Sequence, residues 1–323
     1  MQRNLSLDIL RIIACFGVIV IHITGGAFSN QFAEKGTLWY NEYIVLDALF
    51  RWSVPVFAMI TGYFLLDPKK DLPIKKLFRK YLFRIVIALI FWSVIYSVSL
   101  HQSIYPFGSQ GAHFWYLGML IGLYLSLPIL RIIAQNPLIL KYYCIAWVIY
   151  MIYTFLGRFI VLPFQLQDVI FLRYAGYCLA AYYIKVYLSN KNNKLVLFLY
   201  IIGTIGLLIT VLTTIINQNP NSNWWLYDAP NVLVTALAVF LFFVRHPISL
   251  NPRFSRFIET CSKCTFGIYL MHMWVLIQIL TRVYRFISDP FLLTVICGGF
   301  TFCSTFLLTW VIKKVPYIKD IIV

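Results

Sequence analysis

Ten residues separate Arg11 from His22 in an otherwise apolar stretch of this 323-residue chain, and Asp8 stands three residues before the arginine. Eleven helical steps turn about 1100°, three turns plus about 20°, so on one helix the two side chains share a face roughly 16–17 Å apart. Asp8, at i−3, is close enough to pair with Arg11, and Cys15 and Val18 fill the stripe between the polar ends. An arginine in apolar surroundings is either an anion contact or an anchor that snorkels to headgroups. A histidine there is either an interhelical hydrogen-bond partner or a proton acceptor in catalysis. Residue type leaves both choices open. The shared face and the accompanying carboxylate favour chemistry.

Other polar groups interrupt apolar runs further along. Arg51 lies too deep to snorkel easily, which suggests a buried ligand or ion-pair role. Arg173 falls in the outer part of a later run and His113 opens another. His272 falls in the cytoplasmic half of its run, where a structural role suffices. Between Lys69 and Arg84 seven cations are concentrated, Arg79, Lys80 and Arg84 among them. Such a cluster orients the chain by binding anionic lipid, or receives a phosphate-rich ligand through charge-assisted hydrogen bonds.

The elements that must position these residues are membrane helices. Apolar and aromatic residues make up 61% of the chain, charged residues only 12%, and mean hydropathy is +0.80. A soluble domain keeps roughly a quarter of its residues charged. Windows of about 20 apolar residues predict an all-α bundle of about ten spans: 7–26, 42–66, 77–99, 113–134, 139–157, 168–188, 195–216, 229–245, 265–285 and 290–312. No stretch is polar enough for a separate soluble domain, so 1–323 reads as one membrane domain with short loops. A repeat of the kind found in inverted-repeat transporters is not visible.

A net charge of +16 raises the question of nucleic acid, and its distribution answers it. With the N-terminus inside, nineteen of the 27 Lys and Arg residues fall on the cytoplasmic side and four on the other, the remaining four lying within spans. That is the positive-inside signature, with both termini cytoplasmic. Gly25, Gly26 and Ala27 are small enough for a signal-peptide cleavage site, but Asp8 and Arg11 break the apolar region such a peptide needs. Most of the seven cysteines lie in spans as small apolar residues. Cys261-x-x-Cys264 lacks a second ligand pair, and the five histidines form no H-x-x-x-H pair, so no metal site is expected.

Four segments, in order, carry a family likeness: Leu7-Asp8-Ile9-Leu10-Arg11 through His22; Arg51-Trp52-Ser53-Val54-Pro55-Val56-Phe57 to Ile60-Thr61-Gly62-Tyr63; His113-Phe114-Trp115-Tyr116-Leu117 with Leu123-Tyr124 and Leu127-Pro128; and Thr265-Phe266-Gly267-Ile268-Tyr269-Leu270-Met271-His272. Together they resemble the acyltransferase-3 family, whose hallmark is an arginine, ten residues and a histidine after a Leu-Asp pair. Thr61 stands where many relatives have serine; the hydroxyl is kept. No segment resembles the soluble hydrolase-like domain that some members append. The single-domain members it most resembles O-acylate surface polysaccharides such as enterobacterial common antigen or O-antigen.

The resemblance implies a membrane-bound O-acyltransferase of the inner (cytoplasmic) membrane. It would carry an acyl group, acetyl before succinyl, from cytosolic acyl-CoA to a hydroxyl of a polysaccharide or lipid-linked glycan. A pantetheine arm of roughly 15–19 Å matches the Arg11–His22 separation. On this expectation the phosphates dock on Arg79, Lys80, Arg84 and Arg11, with Arg51 also on the donor. The arm follows the first helix and His22 serves as general base, supported by Arg11 and Asp8. Trp115 and Tyr116 line the arm tunnel, stack on a sugar, or form an interfacial aromatic belt; His113 and Arg173 meet the acceptor. Direct transfer and an acetyl-histidine intermediate both fit these residues. The rival readings are a transporter or flippase for a glycan or solute, and a non-catalytic membrane protein of the same fold.

Overall fold

A computed structural model describes residues 4–99, 113–162, 170–190, 194–219 and 223–316. Among them there is no strand, and eleven helices follow in order: α1 (Leu5–Ser29), α2 (Leu38–Phe50), α3 (Ser53–Leu65), α4 (Ile74–Ser99), α5 (Trp115–Gln135), α6 (Pro137–Leu156), α7 (Ile170–Tyr183, extended by a π-helical turn Ile184–Leu188), α8 (Lys194–Asn217), α9 (Pro230–Arg245), α10 (Pro252–Tyr284) and α11 (Pro290–Ile312). With α2 and α3 taken as one broken span, nine among the described residues are long and apolar enough to cross a bilayer. The protein is thus an all-α polytopic membrane bundle. The expected span 168–188 corresponds to α7, which is not among those nine and begins beside residues outside the described set.

Helix starts follow local chemistry. Asn136-Pro137, Asn251-Pro252 and Asp289-Pro290 each place an Asx side chain on a first-turn N–H, with proline where no donor is needed. Asn4 caps α1 in the same way, accepting from the Leu7 N–H at 3.1 Å. The break between α2 and α3 has a cause at Pro55. Its missing N–H leaves the Arg51 carbonyl without an i+4 donor, and its ring crowds that carbonyl. The chain turns at Arg51-Trp52, so an arginine that would lie mid-helix sits at a helix junction.

At 33 residues α10 is about 50 Å long, well beyond a hydrocarbon core of about 30 Å. It starts well before the expected 265, and its first turns carry Arg253, Arg256, Glu259 and Lys263. Helix α1 is the most enclosed span and packs on α2, α3, α9, α10 and α11. Its pairing with α10 keeps one register: Arg11 Nη1 meets Ser262 Oγ at 3.5 Å, Cys15 Sγ meets the Thr265 carbonyl at 3.7 Å, and the His22 ring lies 5.1 Å from that of His272. The two helices run parallel with an offset near 250 residues throughout.

Several cations are tied to helix ends. Arg131 donates to the Leu65 and Lys70 carbonyls at 2.6 and 2.9 Å, and Arg245 to the Leu188 carbonyl at 3.0 Å. Lys185 donates to the Tyr63 carbonyl at 3.0 Å and pairs with Asp67 at 2.7 Å. Cations at C-terminal carbonyls satisfy orphan acceptors and oppose the helix dipole. Burial works against the Asp67 carboxylate, but the Lys185 ammonium and the Lys69 N–H outweigh it and hold its pKa below the ordinary value. The exposed apolar side chains of α5, α6 and α8 are largely Ile and Leu, a face suited to lipid.

Close helix contacts rest on small residues. A Cβ at Gly62 would lie 2.2–2.6 Å from backbone atoms of Cys178, so α3 and α7 touch through a glycine. We expect Gly62→Ala to destabilise the bundle by about 1–3 kcal/mol through overpacking, read as a lower thermal unfolding temperature in detergent. Gly299, with nothing within 4 Å of its would-be Cβ, is the control: Gly299→Ala should leave that temperature unchanged or raise it.

Candidate active site

Two cavities meet at His22. The first, of about 440 Å³, runs along α1 from Arg11 past Val18 and Ile21 to His22. Its deep walls include Phe57, Thr61, His113, Trp115, Tyr116 and Tyr269; its shallow end holds Lys80, Arg84, Lys263 and Lys313. Under the assigned topology that shallow end faces the cytoplasm. The second, of about 890 Å³, begins at His22 and opens on the other side past Gly25, Ser29, Gln31, Glu34 and Lys35. His22 lines both.

The predicted helical phase is present: Arg11 and His22 stand on the same cavity wall. Ser262 of α10 links the cytoplasmic end, donating its hydroxyl to Asp8 Oδ1 at 2.6 Å and accepting from Arg11 Nη1 at 3.5 Å. Asp8 thereby holds Ser262, which faces the cavity, while Asp8 itself lies behind the lining. This serine was not singled out by sequence; a hydroxyl at the cytoplasmic end of a long polar-to-apolar helix carries no signal alone.

At the deep end three imidazoles gather. The His272 ring is 5.1 Å from His22 and 5.2 Å from His113, and His22 and His113 are 6.3 Å apart. His272 is therefore not in the cytoplasmic half of its span, as expected; the early start of α10 places it level with His22. Its Nδ1 faces the Tyr269 carbonyl at 2.6 Å. A carbonyl only accepts, so Nδ1 carries the proton and Nε2 is the basic atom. The Tyr269 hydroxyl donates to the His113 carbonyl, tying the start of α5 to α10. Among the described residues no group of three His, Cys, Asp or Glu is placed to hold a metal ion.

Trp115 and Tyr116 line the first cavity, as a tunnel role requires. The Trp115 ring stacks near Tyr227 at 5.9 Å, and Tyr116 meets Phe57 and Tyr269 edge-on. Of the cations expected on the donor, Arg11, Lys80 and Arg84 are in the lining, with Arg84 lying 5.4 Å over the Phe266 ring. Arg79 is not in the lining. Residues 77–82 form a π-helical stretch, and Lys80 and Arg84 face the cavity one turn apart while Arg79 is rotated off that face to an exposed position. Lys263 and Lys313, absent from the expected set, join from α10 and from the end of α11. The field is strongly positive. Burial, then Lys76, Arg131, Lys80 and Arg11, press the Lys70 ammonium below its ordinary pKa.

Two expected arginines belong elsewhere. Arg51 lines the second cavity, not the first, so it is not placed to meet a cytosolic donor's phosphates. Its guanidinium pairs with buried Asp47, which also accepts from Thr24 at 2.6 Å, and it lies 4.2 Å over the Trp225 ring. Arg173, expected on the acceptor, lines neither cavity. It bonds buried Asp228 at 3.1 Å, and Arg158 pairs with the same carboxylate. The Asp47 pair braces the end of α2, and the Asp228 pairs join segments distant in sequence, in a setting where an unpaired carboxylate is expensive.

Comparison with known proteins adds the family. No curated protein and no solved structure matches the chain. A family model described as an acyltransferase domain matches residues 4–310, which takes in Asp8, Arg11, His22, His113 and His272 and nearly every helix of the bundle. The chain belongs to the acyltransferase-3 family of multi-pass membrane acyltransferases.

Proposed function

We propose that this acyltransferase moves an acetyl group across the cytoplasmic membrane, from acetyl-CoA in the first cavity to a glycan hydroxyl in the second. One observation carries the reading: His22 stands in the wall of both cavities. The nucleotide is too charged to cross a bilayer, so donor and acceptor must meet at an interior point reached from each side. The cations at the cytoplasmic mouth, Lys80, Arg84, Lys263 and Lys313, suit phosphates. The roughly 16–17 Å from Arg11 to His22 suits a pantetheine arm. The walls between them are mainly apolar and aromatic.

In the proposed step His22 accepts the proton of the attacking hydroxyl as its oxygen bonds to the thioester carbonyl carbon. The carbon–sulfur bond then breaks, and the proton passes from His22 to the departing thiolate. Products are the acetyl ester and free CoA, and no other reactant is needed. Asp8, through Ser262, holds the cytoplasmic end of the track beside Arg11. A central site lined from both cavities is also what a transporter presents, one side at a time, and that reading is the rival.

Purified protein should bind acetyl-CoA and hydrolyse it slowly; a transporter of glycans should do neither. For His22→Ala we expect glycan acetylation to fall by about 10²–10⁴-fold, the usual range of general-base catalysis, with donor binding and membrane insertion retained. Wild-type acetylation in that variant would remove His22 from the reaction. Lys80→Ala and Arg84→Ala should each weaken acetyl-CoA binding by roughly tenfold or more, as loss of a charged hydrogen bond of about 1.5–3 kcal/mol implies. Arg79→Ala should change it little. Equal effects at all three positions, measured by isothermal titration, would mean that general positive charge rather than cavity contact binds the donor.

A further inference from the structure

Helix α1 contains three interior glycines, and two have a packing reason. A Cβ at Gly17 would sit 2.3 Å from Ser53 Oγ and 2.6 Å from Phe50 Cδ1, and one at Gly26 would sit 2.6 Å from Leu280 Cδ2. Gly25 differs: nothing lies within 4 Å of its would-be Cβ. Its backbone is ordinary right-handed helix, and among the described residues the one glycine with a positive φ is Gly36. Glycine inside a helix is destabilising relative to alanine. At Gly25 neither packing nor backbone conformation requires it.

The open space is the second cavity. Gly25 lines it three residues after His22, so it lies one turn further out on the adjoining face of the same helix. At about 890 Å³ the cavity is at the upper end of the roughly 300–1,000 Å³ typical of small-molecule sites. Gln31, Glu34, Lys35 and Asn219 at its outer part supply donors and acceptors. We propose that Gly25 is the floor of the acceptor subsite: bare helix backbone against which a hydroxyl-rich glycan segment lies flat, bringing one hydroxyl to His22. The proposal rests on the acyl-transfer reading above and assigns its acceptor half. It makes Gly25 a specificity-determining residue for the size of the acceptor.

The test compares Gly25→Ala and Gly25→Leu with the wild type. Acetyl groups on total surface polysaccharide are measured by mass spectrometry of cells, and acetyl-CoA affinity and unfolding temperature on protein in nanodiscs. We expect Gly25→Leu to lose at least tenfold in glycan acetylation, Gly25→Ala to lose less, acetyl-CoA affinity to stay within twofold, and the unfolding temperature to hold or rise. A glycine needed only for packing would show the reverse, a lower unfolding temperature with proportionate loss of donor binding, and that result overturns the proposal. Undiminished acetylation by Gly25→Leu overturns it as well. Gly25→Cys, in a background where the native cysteines are serine, should react with a membrane-impermeant maleimide added from outside. Absence of labelling would show that no outer chamber reaches this position. Should wild-type protein neither bind acetyl-CoA nor acetylate glycans, the acyl-transfer reading falls and the acceptor assignment with it, whereas a competent wild type with an unaffected Gly25→Leu variant removes the assignment alone.

Discussion

The parallel pairing of α1 with α10 is the contact on which the site depends. One register, offset by about 250 residues, sets Ser262 against Asp8 and Arg11 at one end and His272 against His22 at the other. A helix bearing an aspartate, an arginine and a histidine is a poor membrane span by itself, because each polar group would have to be solvated by lipid. Against α10 each finds a neighbour, and the apolar residues between them pack. A slip of one residue would rotate every polar group of α1 by about 100° and remove all of these contacts together. The cavity wall and the helix interface are therefore one construction.

Buried carboxylates follow a common pattern. Asp47 holds Arg51 and Thr24, Asp228 holds Arg158 and Arg173, and Asp67 holds Lys185. Each joins elements distant in sequence or braces a helix end. With only 11 acidic residues against 27 basic ones, pairing of this kind leaves a surplus of cations, and part of that surplus gathers at the shallow end of the first cavity. The basic character that reports topology also supplies a positive field of the kind that Lys70 experiences.

Much of the fold was legible because bilayer solvation permits few structures, and apolar runs define the spans. The Arg11–His22 face was legible because helical phase is arithmetic. What escaped depended on events that periodicity does not encode. The cytoplasmic extension of α10 is polar, so a hydropathy window starts too late and misplaces His272. Arg79 is an exception: it stands one residue from Lys80, about 100° around the helix, so the phase that puts Lys80 and Arg84 on one face already turns Arg79 away. Arg51 had a readable partner four residues back in Asp47. Arg173 had none, since Asp228 is 55 positions away and only folding joins them. Ser262, Lys263 and Lys313 are ordinary residues whose role comes from position alone.

The distance along the chain between α1 and α10 also has a temporal side. At about 5–20 residues per second, some 12–50 s separate synthesis of His22 from that of His272. Throughout that interval the first helix resides in the membrane without the surface that accommodates its polar face. The first cavity is completed later still, since Lys313 follows α11. A nascent chain that stops short of α10 thus has no assembled first cavity. The wall around His22 is withheld until α10 and α11 have been made, a timing that comes from chain order and needs no separate regulatory element.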